Sequence, residues 1–198
     1  AHAFRRGNKT CAKALLHGGA AKDEKLKKKG RFGPSPLLKK TLENEQAVIW
    51  YLGHSGWAIK TRNHLLVFDY FNPYADPDEP LLANGHINPE EIRDLSVTVL
   101  VTHDHQDHFT PEIFSWRDTI PSIHYLMGFK PDTKEKYSSL PPRKTLKGNG
   151  MIVTAFKSND QGVGFFVEVD GMRILHMGDH ANGNMDLAGD FTPEIDES

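Results

Sequence analysis

Cysteine is nearly absent, Cys11 being the single one in 198 residues. It can close no internal disulfide and belongs to no Cys-x-x-Cys pair, so a disulfide framework and a thiolate metal site are both excluded. No stretch approaches the roughly 18–20 consecutive apolar residues of a membrane span, and the amino terminus has no apolar core of the signal-peptide kind. A cytoplasmic protein is therefore expected, although a lone cysteine fits a secreted mature chain equally well. Aromatic residues are scarce in positions 1–45, where only Phe4 and Phe32 occur. They are too few and too far apart for the stacking surface that holds single-stranded nucleic acid, so nucleic acid is not expected as a partner. No internal repeat or low-complexity tract is present, which leaves one domain plus a tail.

Charge is present in both signs but unevenly placed. Residues 1–45 hold 12 Lys or Arg against 4 Asp or Glu, and the rest of the chain holds 12 against 22, which returns the net −2. The run Lys25, Lys27, Lys28 and Lys29 could neutralise phosphates, yet such runs are more often solvated linkers. We read 1–45 as a basic arm and 46–198 as the folded domain. The 38% apolar share is enough for a sizeable core at this length.

The arm carries breakers at intervals, with short helices expected only around Ala12–His17 and Leu37–Leu42. Three apolar runs, 47–52, 57–60 and 65–68, read as consecutive antiparallel strands. Residues 72–89, rich in Pro, Asp, Asn and Gly, suit a surface loop beside a cleft, and Pro89-Glu90-Glu91-Ile92 suits a helix start. A buried strand is expected at Val97–Val101, then a helix through Trp116 capped by the Thr110 hydroxyl, then a strand at 122–126. A helix-and-loop passage over 131–142 precedes a strand at 151–156. Segments 164–169 and 173–177 pair through the Asp170-Gly171 turn, a hairpin signal.

The densest chemistry stands just after the 97–101 strand, in Thr102-His103-Asp104-His105-Gln106-Asp107-His108. His103 and His105, two apart, can reach one cation from the same side, and Asp107 and His108 can turn to a second. Imidazole and carboxylate suit zinc, iron or manganese, and a site without thiolate leaves room for a coordinated water. A second metal roughly 3.5–4 Å away would share that water or clamp a substrate. Asp104 is read as a proton relay or a loop residue. His176, on an apolar strand, is read as a core residue with a hydrogen-bond partner.

His103, His105, Asp107 and His108 reproduce the H-x-H-x-D-H signature of the metallo-β-lactamase fold superfamily. Gly53-His54-Ser55-Gly56 and Asp69 resemble its ascorbate-lactonase-like branch of metal-dependent hydrolases, and Gly162-Val163-Gly164-Phe165 and Gly178-Asp179 agree with it over about residues 47–190. The resemblance implies an α/β fold, an αββα sandwich here lacking part of its carboxyl-terminal half, and two divalent metal ions, zinc first, manganese or iron next. It implies metal ligands His103, His105, Asp107, His108 and Asp179, with Asp179 bridging the metals. It also implies that Asp69 orders the loop and that His54 lies close by, so that His54, Asp107 and Asp179 take part in the chemistry.

Two departures stand against these matches. The family brings a further histidine to the first metal where this chain reads Lys157-Ser158-Asn159-Asp160, and its last histidine lies beyond Ser198. Asp160 or His180 would be substitutes, each with an ordinary alternative as a turn or cleft residue. The expected activity is hydrolysis of an ester, lactone, amide or phosphoester small-molecule substrate by a metal-bound hydroxide. The alternatives are a regulatory binding module with a partial metal site, a domain completed by a second chain or in a homo-oligomer, and, ranked lower, a di-iron redox protein.

Overall fold

The computed structural model describes residues 14–17, 35–71 and 80–180. Cys11, the 25–29 lysines, Phe4, Phe32 and positions 72–79 of the expected surface loop lie outside the described residues. Two sheets carry the architecture. The first has seven strands in sequence order: β1 (Ala14–His17), β2 (Ala47–Gly53), β3 (Gly56–Lys60), β4 (Leu65–Phe68), β5 (Val97–Val101), β6 (Ile123–Met127) and β7 (Ser138–Ser139). β2, β3 and β4 form an antiparallel meander, as their alternation with short turns predicts, whereas β4 to β7 run parallel. Parallel strands need cover on both faces, and every residue of β4 and β5 is buried.

The short helix expected over Ala12–His17 is corrected: Ala14–His17 is a strand, paired parallel to β2. A short apolar run fits either state by periodicity, and here the open edge of β2 decides it. The other expected helices appear as 3-10 turns at Pro36–Lys39, Pro89–Glu91 and Pro111–Asp118, and no α-helix occurs among the described residues. Thr110 does stand at the start of the last, but its hydroxyl makes no capping bond. The 131–142 passage holds no helix and contributes only the two residues of β7. No helix among the described residues is long and apolar enough to cross a membrane.

The second sheet is antiparallel and four-stranded, in the order β11 (Met172–His176), β10 (Val163–Val169), β9 (Met151–Lys157), β8 (Lys144–Gly148). Its hairpins turn at Asn149-Gly150 (φ 50° and 74°) and Asp170-Gly171 (φ 47° and 78°). Two successive positive φ values match the twist of the flanking strands. The Asp170 carboxylate also accepts from the Thr61 hydroxyl and from the backbone and side-chain N–H groups of Asn63, tying this hairpin to the β3–β4 turn. Ile59, Leu66, Phe68, Leu100 and Leu126 of the first sheet pack with Val153, Ala155, Phe165 and Val167 of the second. A separate core on the other face of the first sheet gathers Trp50, Val67, Val99 and Tyr125 beneath Ile113 and Trp116 of the 3-10 segment. The first core locks the sheets together, so the strand ends at one rim cannot shift independently.

Candidate metal centre

β4 and β5 are parallel with Phe68 opposite Leu100, so Asp69 and Thr102 emerge side by side at the same rim. Asp69 is fully buried and sits at φ 40°, a conformation that turns its carboxylate into the loop after β5. Its Oδ1 accepts from the Thr102 backbone N–H at 2.8 Å. Its Oδ2 accepts from the Thr102 hydroxyl at 2.7 Å, from His108 Nδ1 at 2.8 Å and from His176 Nε2 at 2.8 Å. Burial alone would raise this carboxyl's pKa. The charge of His176 and the hydrogen bonds from His108, His176 and Thr102 outweigh it, holding the group well below the usual carboxylate range.

An ionised carboxylate only accepts, and that fixes the protons around it. The Thr102 hydroxyl spends its proton on Asp69, so its oxygen accepts from His103 Nδ1 at 2.9 Å. Neutral His103 then presents a lone pair at Nε2. His108, donating from Nδ1 to Asp69, likewise presents a lone pair at Nε2. The Gln161 side-chain nitrogen lies 3.0 Å from His105 Nε2, and donating to it leaves the ring proton on Nδ1, facing His103 Nε2 at 3.0 Å. The flipped amide, its oxygen accepting from Nε2, frees the His105 Nδ1 lone pair for a cation. Such outer partners set which nitrogen can ligate.

These lone pairs converge. His103 Nε2 lies 3.0 Å from His105 Nδ1, 3.9 Å from Asp160 Oδ2 and 3.8 Å from Asp179 Oδ2. Four tetrahedral ligands at zinc distances stand about 3.4 Å apart, so one cation fits among these atoms. A second group, of His54, His108 and Asp179, has ligand atoms within 4.8 Å of one another, and Asp179 belongs to both groups. His108 Nε2 is buried and has no hydrogen-bond partner among the described residues, although Asp179 Oδ1 is 3.0 Å away. At that distance the two atoms share either a proton, as an imidazolium–carboxylate pair, or a metal cation, and the donor chemistry suits a divalent metal. Burial pulls the His108 pKa down, but the Asp69 hydrogen bond and the charges of Asp69, Asp179 and Asp107 raise it above the ordinary value. His103 shifts the other way, lowered first by burial and then by the charge of His108.

Of the residues expected from sequence, His103, His105 and Asp179 come together, as do His108, His54 and Asp179. Asp107 joins neither group, and its Oδ2 stands 3.0 Å from His54 Nε2 at the half-exposed rim. Asp104 is exposed and in neither group. Asp160 enters the first group, whereas His180 accepts from the Asn159 backbone N–H at Nδ1 and holds the neighbouring loop. Sequence reasoning passed over Gln161 entirely, since one amide in a turn has no spacing to betray it. A surface depression of about 460 Å³ lies elsewhere, around Gly150 and the Asp170-Gly171 turn at the opposite ends of β9 and β10, and has no part in this cluster.

Three glycines, Gly128, Gly162 and Gly178, let the chain close on Thr102. At Gly162 (φ 69°) a Cβ would meet the Thr102 carbonyl oxygen at 2.0 Å and His103 Cβ at 2.7 Å, and at Gly178 (φ 58°) it would meet the Thr102 hydroxyl oxygen at 2.8 Å. Gly162→Ala is expected to destabilise the fold by about 2–4 kcal/mol through overpacking and left-handed strain. The denaturant midpoint measures this, and an unchanged midpoint would mean that the Thr102 contact relaxes freely.

A family profile described as "Beta-lactamase superfamily domain" matches residues 48–196. None of the curated proteins matches the chain. Among solved structures, CmlA, a diiron β-hydroxylase from Streptomyces venezuelae, is similar at 17% identity, with 79% of this chain and 33% of that one covered and a TM-score of 0.50. Igni18, a metallo hydrolase from the hyperthermophilic archaeon Ignicoccus hospitalis, is similar at 16% identity over 72% of this chain and 65% of its own, with a TM-score of 0.48. The metallo-β-lactamase fold protein YhfI from Bacillus subtilis is 14% identical over 61% and 52%, with a TM-score of 0.42. The chain thus spans 33%, 65% and 52% of the length of these three proteins.

Proposed function

The chain belongs to the β-lactamase superfamily and has the metallo-β-lactamase fold, and on that premise we propose that it is a metal-dependent hydrolase of small ester, lactone, amide or phosphoester substrates. The observation that carries the reading is the shared carboxylate: Asp179 faces the lone pair of His103 on one side and that of His108 on the other. His103, His105, His108 and Asp179 would hold two divalent cations, for which zinc, manganese and iron suit the imidazole and carboxylate donors. When bound, such cations supply an ionised water near neutral pH and polarise the electrophile.

The chain's own residues do the rest. Asp69 and Thr102 keep Nδ1 of His103 and His108 protonated, so both rings offer Nε2 inward. His54 and Asp107, paired at 3.0 Å and half-exposed, stand where a proton can pass between the site and solvent. Gly53-His54-Ser55-Gly56 beside the site favours the lactonase-like branch, and with it a cyclic ester as the substrate class.

The test uses the full chain, stripped by a chelator and reloaded. About two metal equivalents per chain with turnover of generic esters or lactones is the expected result. Metal well below one equivalent with no turnover would favour the regulatory binding module instead.

A further inference from the structure

We infer that Asp160 is a metal ligand of the His103 position, which makes that position a site of two imidazoles and two carboxylates suited to manganese or iron(II) as well as zinc. The inference rests on the metal-centre reading above and adds the identity of a ligand and the class of cation.

The loop between β9 and β10 is pinned on both sides of Asp160. The Ser158 hydroxyl accepts from the Asp160 backbone N–H at 3.1 Å, His180 Nδ1 accepts from the Asn159 N–H at 2.9 Å, and the Val163 N–H donates to the Thr102 carbonyl at 3.1 Å. So held, Asp160 Oδ2 stands 3.9 Å from His103 Nε2 and 3.8 Å from His105 Nδ1. Those values match the 3.8 Å from His103 Nε2 to Asp179 Oδ2. The Asp160 carboxylate therefore stands about as close to His103 Nε2 as does the carboxylate shared with the second position.

The cluster is more than a gathering of acids. His103 is 1% exposed, and the proton relay from Asp69 through Thr102 leaves its Nε2 as a lone pair aimed between the two carboxylates. The neighbouring His108 Nε2, buried and without a hydrogen-bond partner among the described residues, faces the other oxygen of Asp179. Two neutral imidazoles and two carboxylates, one of them shared with the second position, supply four donors for one divalent cation. Replacing an imidazole donor by a carboxylate oxygen makes a site harder and narrows the advantage that zinc holds over manganese.

The experiment compares the full chain with Asp160→Asn and Asp160→His. Metals per chain are read by elemental analysis, the competition between Zn2+ and Mn2+ by the electron paramagnetic resonance of free Mn2+, and the metal-free melts by circular dichroism. Asp160 is partly exposed, so metal-free melts close to that of the parent are expected. Asp160→Asn is expected to fall from about two metal equivalents to about one, and Asp160→His to regain the second and raise the zinc-to-manganese affinity ratio at least about tenfold. Asp160→Asn that keeps both equivalents at parental affinity, or Asp160→His that leaves the ratio unchanged, would overturn the inference while leaving the hydrolase reading intact. The expected metal behaviour without turnover of esters or lactones would support the inference and sink the hydrolase reading. A parent chain that binds no metal would sink both.

Discussion

Asp69→Asn is expected to destabilise the metal-free protein by about 3–5 kcal/mol, the scale for leaving one side of a buried charged network uncompensated. The carboxylate is fully buried and receives four hydrogen bonds, three of them on Oδ2. An amide offers one accepting oxygen and turns two N–H donors towards donors, so at least one of Thr102, His108 and His176 loses its partner. The folded pKa lies below the unfolded one, so the parent's contribution is present above the unfolded value, near about 3.9. It is lost as pH falls from there towards the lower folded value. The substituted protein should therefore lose part of the parent's steep acid dependence as well as its stability at neutral pH. Denaturant titrations at several pH values read both effects. Parallel stability curves, displaced by less than about 1 kcal/mol, would mean that the network is not held by this charge.

The second large effect is expected at Asp179, with the opposite signature. Its side chain is 38% exposed and faces the ligand nitrogens of His103 and His108. Asp179→Ala should change the metal-free stability by no more than about 0.5 kcal/mol. It should weaken both metal positions together, each by at least about a hundredfold, since even indirect partners of metal ligands cost 10–100-fold when removed. Isothermal titration of the metal-free protein separates the positions. One position keeping its parental affinity would show that the carboxylate is not shared.

Most of the first sheet was legible because its strands are continuous apolar runs ended by turn residues, and burial on both faces is what such runs demand. The ligand run after β5 was legible because its chemistry is local to seven residues. What escaped depends on approach through space. Asp160 could be read only as one of two substitutes, because its approach to His103 depends on Gly162 letting the following strand meet Thr102, and the Asp107–His54 contact had no sign in the spacing. β8 escaped for another reason: all five of its residues are exposed, so it carries no alternation. The Asn149-Gly150 pair was the readable sign of that hairpin, and its two positive φ values are what the pair supplies.

The same strand bears on the protein's behaviour in concentrated solution. β8 ends its sheet, so among the described residues its outer row of backbone amides and carbonyls has no strand beside it. Lys144 and Lys147 stand on that border, and a second copy pairing through its own β8 would bring the same lysines towards these, a like-charge encounter that discourages stacking into fibres.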